Sequence, residues 1–290
     1  MEDPARLTTW TIVEGEVDRA AIKGIDIYGD AHFRNQTIDA LQRIAQTRTG
    51  RFLLEYLIGR IQRSGGAIGI IIGFPNDERS HCDAQTIADA RTELTNDVHS
   101  RNAALIAWHI RFALSAPGRD ADWFANQLRN TPAYRLEGLP ATGLCPLPIT
   151  GQDVRRWVQG RLAFPQPYSH GDEPFILCNS LLIVLARETP LVPGRGTSSR
   201  VFWSMGDTII LTDGTAQQRP AWIGLAHELI HAYYNISGTQ LVEVESDRFH
   251  GSWTTMIGEY MCVGLGPWAD APVTENAIRA EALIPRRTMY

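Results

Sequence analysis

Cysteine is scarce in this chain, with four in 290 residues and no CxxC pair among them. Cys82, Cys145, Cys178 and Cys262 lie far apart, which excludes a compact thiolate metal knot. They read as reduced thiols of a protein folded in the cytosol rather than as a disulfide framework. Excess positive charge is lacking too: the formal net charge is −5, so electrostatics provide no reason to expect a nucleic-acid partner. No apolar run reaches the roughly 18 residues that a transmembrane helix needs. The longest, Phe175 to Ala186, is interrupted by Asn179 and Ser180. The first residues, MEDPARLTTWTIVEG, lack the basic start and apolar stretch of a secretory signal peptide. Sec export is therefore not expected, while signal-less secretion stays open. What remains, 44% hydrophobic and 20% charged residues, is ordinary for a globular protein of one large domain or two small ones.

Residues 1–22 show little periodicity and read as a mobile segment, with 23–290 as a single domain. Ile25 to Tyr28 alternates like a short strand and ends at the turn signal Gly29-Asp30. Asn35-Gln36-Thr37 opens a helix with Ile38, Leu41 and Ile44 at helical spacing, and Thr49-Gly50 breaks it. A second helix runs from Phe52 to Ile61, and Ala67 to Ile72 reads as a buried strand. The middle, 76–173, looks mainly helical and suits a helical insertion, although its prolines demand frequent loops. Trp108-His109 falls in its apolar helix and reads as core, and His81-Cys82-Asp83 as a loop. Beyond Pro193-Gly194-Arg195-Gly196-Thr197, strands are expected at Ser199 to Trp203 and Thr208 to Leu211. Met205-Gly206-Asp207 would join them as a hairpin.

Chemistry concentrates at His227-Glu228-Leu229-Ile230-His231. Pro220 suits a helix start and Gly238 a helix end, and the residues between make about 25 Å of helix. Trp222, Leu225, Leu229 and Tyr233 are available for burial along it. Histidines four apart leave a helix on the same face, so His227 and His231 can reach one Zn2+. Glu228 projects beside the metal without binding it. There it can take a proton from a metal-activated water that attacks a peptide carbonyl, then return it to the leaving amine. An HExxH pattern arises by accident in about one chain in a hundred of this length, so the helical setting has to support it.

A catalytic zinc needs a third protein ligand. The downstream Gly and His of a three-histidine motif are replaced by Tyr234 and Ser237, so a later acidic residue has to serve. Two candidates compete, Glu243, with Asp247 four residues on as partner of a ligand histidine, and Glu259, while a lone His250 is the weaker third option. Chain geometry favours Glu259 modestly, because little chain separates Glu243 from Gly238.

The stretch WIGLAHELIHAYYNISG resembles the NleD-like family of zinc endopeptidase effectors, bacterial proteins injected into host cells by type III secretion. The segments GIDIYGDAHFRNQTIDALQRIAQTRTGRFLLEYLIGRIQRSGGAIGIIIG, PGRGTSSRVFWS and EYMCVGLG agree with its pattern, as does TENAIRAEALIPRRTMY. The likeness covers roughly 24–73 and 190–290. It implies a zinc protease acting on a host protein, with stress-activated MAP kinases the targets of known relatives. It also implies Glu259 as the third ligand, although Gly258 stands where the family often has a second acidic residue.

The expected fold is therefore α+β and zincin-like, with an active-site helix, a small β-sheet and an additional mainly helical region. Arg200 to Trp203 or Thr208 to Leu211 could supply an edge strand to a substrate, or could equally be fully paired. Tyr260, Arg279, Arg286, Arg287 and Tyr290 are candidates to stabilise developing negative charge, and Arg279 could instead pair with Glu275 or Glu281. The expected partner is a protein substrate, a host kinase by resemblance, with neither nucleic acid nor a membrane span. The rivals are an interbacterial toxin or housekeeping zinc peptidase, and a protein-binding module with a structural zinc.

Overall fold

Two short isoleucine-rich runs and two more mixed ones build a four-stranded sheet in the order Ile25–Ile27, Ile70–Gly73, Ser199–Phe202, His81–Ala84. This computed structural model describes residues 12–13, 16–17, 25–75, 80–94, 103–131, 149–159, 173–212, 215–241 and 256–288. The first three strands are parallel, with Ile25 opposite Ile70 and Ile70 opposite Ser199. The fourth is antiparallel, with His81 opposite Phe202. Alternation sends Ile25, Ile27, Ile70, Ile72 and Val201 into the core, whereas Ile71 on the other face is 38% exposed.

Parallel neighbours need a crossover, and here two helices supply it. Ala31–Gln46 begins earlier than the sequence suggested, because the Asp30 side chain accepts the Phe33 N–H at 2.8 Å and caps it. The expected break at Thr49-Gly50 falls instead at Thr47. Its hydroxyl accepts the Gly50 N–H at 3.0 Å and starts Arg48–Arg63. Leu53, Leu54, Leu57 and Ile61 of the second helix are buried, as their spacing predicts.

Two expectations fail in this region. Ser199–Phe202 does not form a hairpin with Thr208–Thr212; that strand pairs with Thr215–Arg219, with Thr212 opposite Thr215. The Asp213-Gly214 dipeptide between them is itself a strong hairpin signal. His81–Ala84 is a strand and not a loop, because its backbone finds partners along Ser199–Phe202.

By internal packing the chain divides into two compact units. One is Met1–Ala90 with Gly194–Gln240 and Tyr260–Tyr290; the other is Arg91–Pro193 with Leu241–Glu259. The division falls inside one helix, Met256–Val263, just after Glu259. The described helices of the second unit include Ala103–Leu114, Ala121–Arg129, Gly151–Val158 and Glu173–Glu188. They bury Ile106, Ile110, Phe124, Leu128, Val154, Trp157, Leu181 and Leu185 in a core of their own. His109 is core as expected, and its burial lowers the imidazole below its usual pKa. Trp108 is not: it is 49% exposed and stacks on Phe112 along the outer face of its helix.

Candidate metal centre

The HELIH motif lies in the helix Ala221–Ser237. Pro220 precedes it without a side-chain cap, and the Asp207 carboxylate accepts the Ala221 N–H at 2.7 Å in that role. The helix ends at Gly238, whose φ of 72° is left-handed. Thr239 N–H donates to Tyr234 O at 3.0 Å and Gly238 N–H to Asn235 O at 3.2 Å, a Schellman closure. A Cβ at Gly238 would also lie 2.2 Å from Gly194 O, so only glycine fits there. Leu225 and Leu229 are fully buried, while Trp222 and Tyr233 are half-buried, and every residue from Ile223 to Ile230 is buried. A helix apolar on nearly all sides belongs inside a core. His227 and Glu228 are consequently held 2% and 4% exposed.

The structure brings His227, His231 and Glu259 together: one ligand atom from each lies within 4.8 Å of the others. The two imidazole Nε2 atoms are 3.2 Å apart. Two nitrogens on a tetrahedral ion with arms of 2.0–2.1 Å stand about 3.3 Å apart, so the spacing suits a shared metal. Glu259 comes from the helix Met256–Val263 and is buried at 9% exposure. Two imidazoles and one carboxylate are a donor set that zinc accepts. The alternative ligands Glu243 and His250, and Asp247 as the partner of a ligand histidine, lie outside the described residues, as does Tyr290.

The sequence reading missed the group that stands behind His227. Its Nδ1 lies 2.8 Å from Glu275 Oε2, a fully buried carboxylate on the helix Glu275–Glu281. Burial alone would raise the Glu275 pKa. The hydrogen bond from His227 and the charges of His227, Arg287 and Arg279 outweigh it and hold the carboxyl well below the usual carboxylate range. Glu275 is therefore an acceptor, so His227 Nδ1 donates to it and Nε2 is the nitrogen left to bind. Arg279 Nε also donates to Glu275, at 2.5 Å, and Arg287 Nη1 approaches at 3.4 Å. Both arginines thereby pair with Glu275, the partner that the sequence offered Arg279 as the alternative to an oxyanion role. Glu281 instead accepts from the Thr49 N–H and hydroxyl, both at 2.8 Å, at the start of the helix Arg48–Arg63. Tyr260 is buried and Arg286 exposed.

Of the two expected edge strands, Ser199–Phe202 is interior to its sheet, paired on both sides, whereas Thr208–Thr212 pairs among the described residues on one side alone, in a separate hairpin. Among the described residues the edges of the four-stranded sheet are Ile25–Ile27 and His81–Ala84, and Cys82 of the latter lies near the HELIH helix. The Asn235 side chain, one turn beyond His231, donates to Cys82 Sγ at 3.6 Å and to Ser199 Oγ at 3.1 Å. The Cys82 thiol is pushed well up, by burial first and by the Glu228 carboxylate second.

Fold and site together define an α+β protein with a His–His–Glu cluster, buried at His227 and Glu259 and partly buried at His231, that can hold a metal ion. The model of the Peptidase_M91 family, described as effector protein, matches residues 171–290, which include the HELIH helix, Glu259 and the C-terminal motif. Over that stretch the resemblance to NleD-like effector peptidases is upheld. No curated protein and no solved structure matches the chain.

Proposed function

We propose that this protein is a zinc-dependent endopeptidase, delivered as an effector and acting on a signalling protein of a host cell. The observation that carries the reading is the clustering of His227, His231 and Glu259 beside the buried Glu228. Zinc, when bound, supplies the Lewis acid that acidifies water and polarises a peptide carbonyl. Glu228 is the general base: it takes the proton of the attacking water and hands it to the departing amine. His227, His231 and Glu259 are the metal ligands. A structural zinc would instead be closed by a fourth protein ligand, so a water in the fourth position of the zinc-loaded protein separates the two readings.

His81–Ala84 is the strand we assign to substrate. One side of it pairs with Ser199–Phe202, and among the described residues no strand pairs with the other. An extended peptide can add there through backbone hydrogen bonds. The contact of Cys82 Sγ with Asn235, one turn beyond His231, supports a path for that peptide along the HELIH helix. A host kinase as target rests on family resemblance.

The test compares new protein N-termini in host lysate exposed to zinc-loaded wild type and to Glu228→Ala. Cleavage sites that vanish with Glu228→Ala, while that variant keeps its zinc, are expected. A fully zinc-loaded wild type that cuts no protein or peptide would overturn the reading.

A further inference from the structure

Four residues of the C-terminal motif take no part in ligation or proton transfer, yet they are buried behind His227. Glu275 and Arg279 are 0% exposed, and Asn276 and Arg287 are 7% exposed. Arg287 reaches this place because the chain doubles back after the helix Glu275–Glu281. Ile284 N–H donates to Arg279 O at 2.8 Å and Leu283 N–H to Ala280 O at 3.2 Å, again a Schellman closure. Here the left-handed position is held by Leu283, at φ 59°, where glycine is the usual occupant. A leucine side chain is strained in that conformation and persists only where its surroundings over-determine it. Its side chain is 93% exposed, so the restraint comes from the anchored residues on its C-terminal side. Arg279 Nη1 donates to Pro285 O at 3.1 Å. Asn276 grips Arg287 twice, donating from Nδ2 to its carbonyl at 2.8 Å and accepting its N–H at 2.7 Å.

We infer that Glu275 and the returning strap Pro285–Arg287 form a positioning device that holds His227 in its Nδ1–H tautomer, with Nε2 turned to the metal. This rests on the proposed role of His227 as a ligand. Glu275 and Arg287 are positioning residues, acting through His227. Both arginines can only donate, so they claim acceptor capacity of the carboxylate, and the 2.8 Å contact to His227 needs the ring to donate as well. An amide in place of Glu275 must point its NH2 either at Arg279 or at the side occupied by His227 and Arg287. It therefore always sets a donor against a donor.

The experiment has two readouts that need no proteolysis. Ring nitrogen shifts of His227 by NMR in metal-free protein report the tautomer, and competition with a chromophoric chelator reports zinc affinity. Wild type is expected to carry its proton on Nδ1, in slow exchange. Glu275→Gln is expected to perturb that tautomer and bind zinc about 10–100-fold more weakly. Arg287→Gln should bind several-fold more weakly and exchange the Nδ1 proton faster. A wild-type proton on Nε2, or a folded Glu275→Gln with wild-type zinc affinity, overturns the inference. Should Glu275→Gln fail to fold, the wild-type measurement and Arg287→Gln still decide it. Arg287→Gln with unchanged affinity and exchange also overturns it. A wild type that binds zinc with the expected tautomer but cleaves nothing sinks the protease reading and leaves this one intact.

Discussion

The two compact units of this chain fill their cores with different material. Apart from Glu259, the last residue assigned to it, the helical unit has an aliphatic and aromatic described core, and its buried polar residues are mostly hydroxyls, with Asn179 and His109 among them. Its described ion pairs, Arg119–Glu188, Arg187–Glu188 and Arg155–Asp122, each include a partly or well exposed arginine. The other unit buries Glu228, Glu275, Arg279 and Arg287 among apolar side chains. Charges taken out of water cost several kcal/mol each, and apolar replacements of similar volume are often as stable or more so. A core that keeps them invests in orientation. The comparison teaches that burial alone does not locate a site; buried charge arranged around titratable ligands does.

The strongest way to break this contrast is at the ligands and the base. His227→Ala should abolish zinc binding and cleavage together, measured by metal analysis and terminal-amine proteomics. Glu228→Ala should keep zinc while cleavage falls by about 10²–10⁴-fold. A Glu228→Ala protein that cleaves at the wild-type rate would remove the distinction between base and ligand.

Next comes the ionic core itself. Glu275→Ala leaves two buried guanidinium groups without their shared anion and should cost about 3–5 kcal/mol in urea unfolding. Phe124→Ala in the helical core should cost a similar amount, about 3–5 kcal/mol, through the cavity it leaves. The two differ in acid. The folded Glu275 carboxyl lies below its unfolded value of about 4.3, so its contribution is full near neutrality. That contribution declines as pH falls from about 5 toward the folded value. Wild type should therefore lose stability over that window, and Glu275→Gln should lose less. Parallel acid profiles for the two would break the contrast.

The smallest effects should appear at the surface. Leu283→Gly relieves a left-handed leucine against greater chain freedom when unfolded, so it should alter stability by less than about 1 kcal/mol. Trp108→Ala, on the outer face of its helix, should stay within about 0.5 kcal/mol. A larger loss would mean that Trp108 packs as core after all.

What the sequence determined by itself was local. The HELIH helix was legible because i, i+4 histidines, an apolar surround and Gly238 all operate within a few residues. The helices at 31–63 and the strands at Ile25 and Ile70 were legible from periodicity for the same reason. The edge strand His81–Ala84 was not, because it is polar and becomes a strand only through pairing with a partner far along the chain. Resemblance and chain length singled out Glu259, but its approach to the histidines depends on how a distant helix packs. Glu275 was named only as a salt-bridge partner for Arg279. Its contact with His227 spans 48 residues of chain, and no spacing rule reaches that far. The tertiary structure alone decided which carboxylate faces which imidazole, since burial sets the strength of that contact and only folding brings the two together.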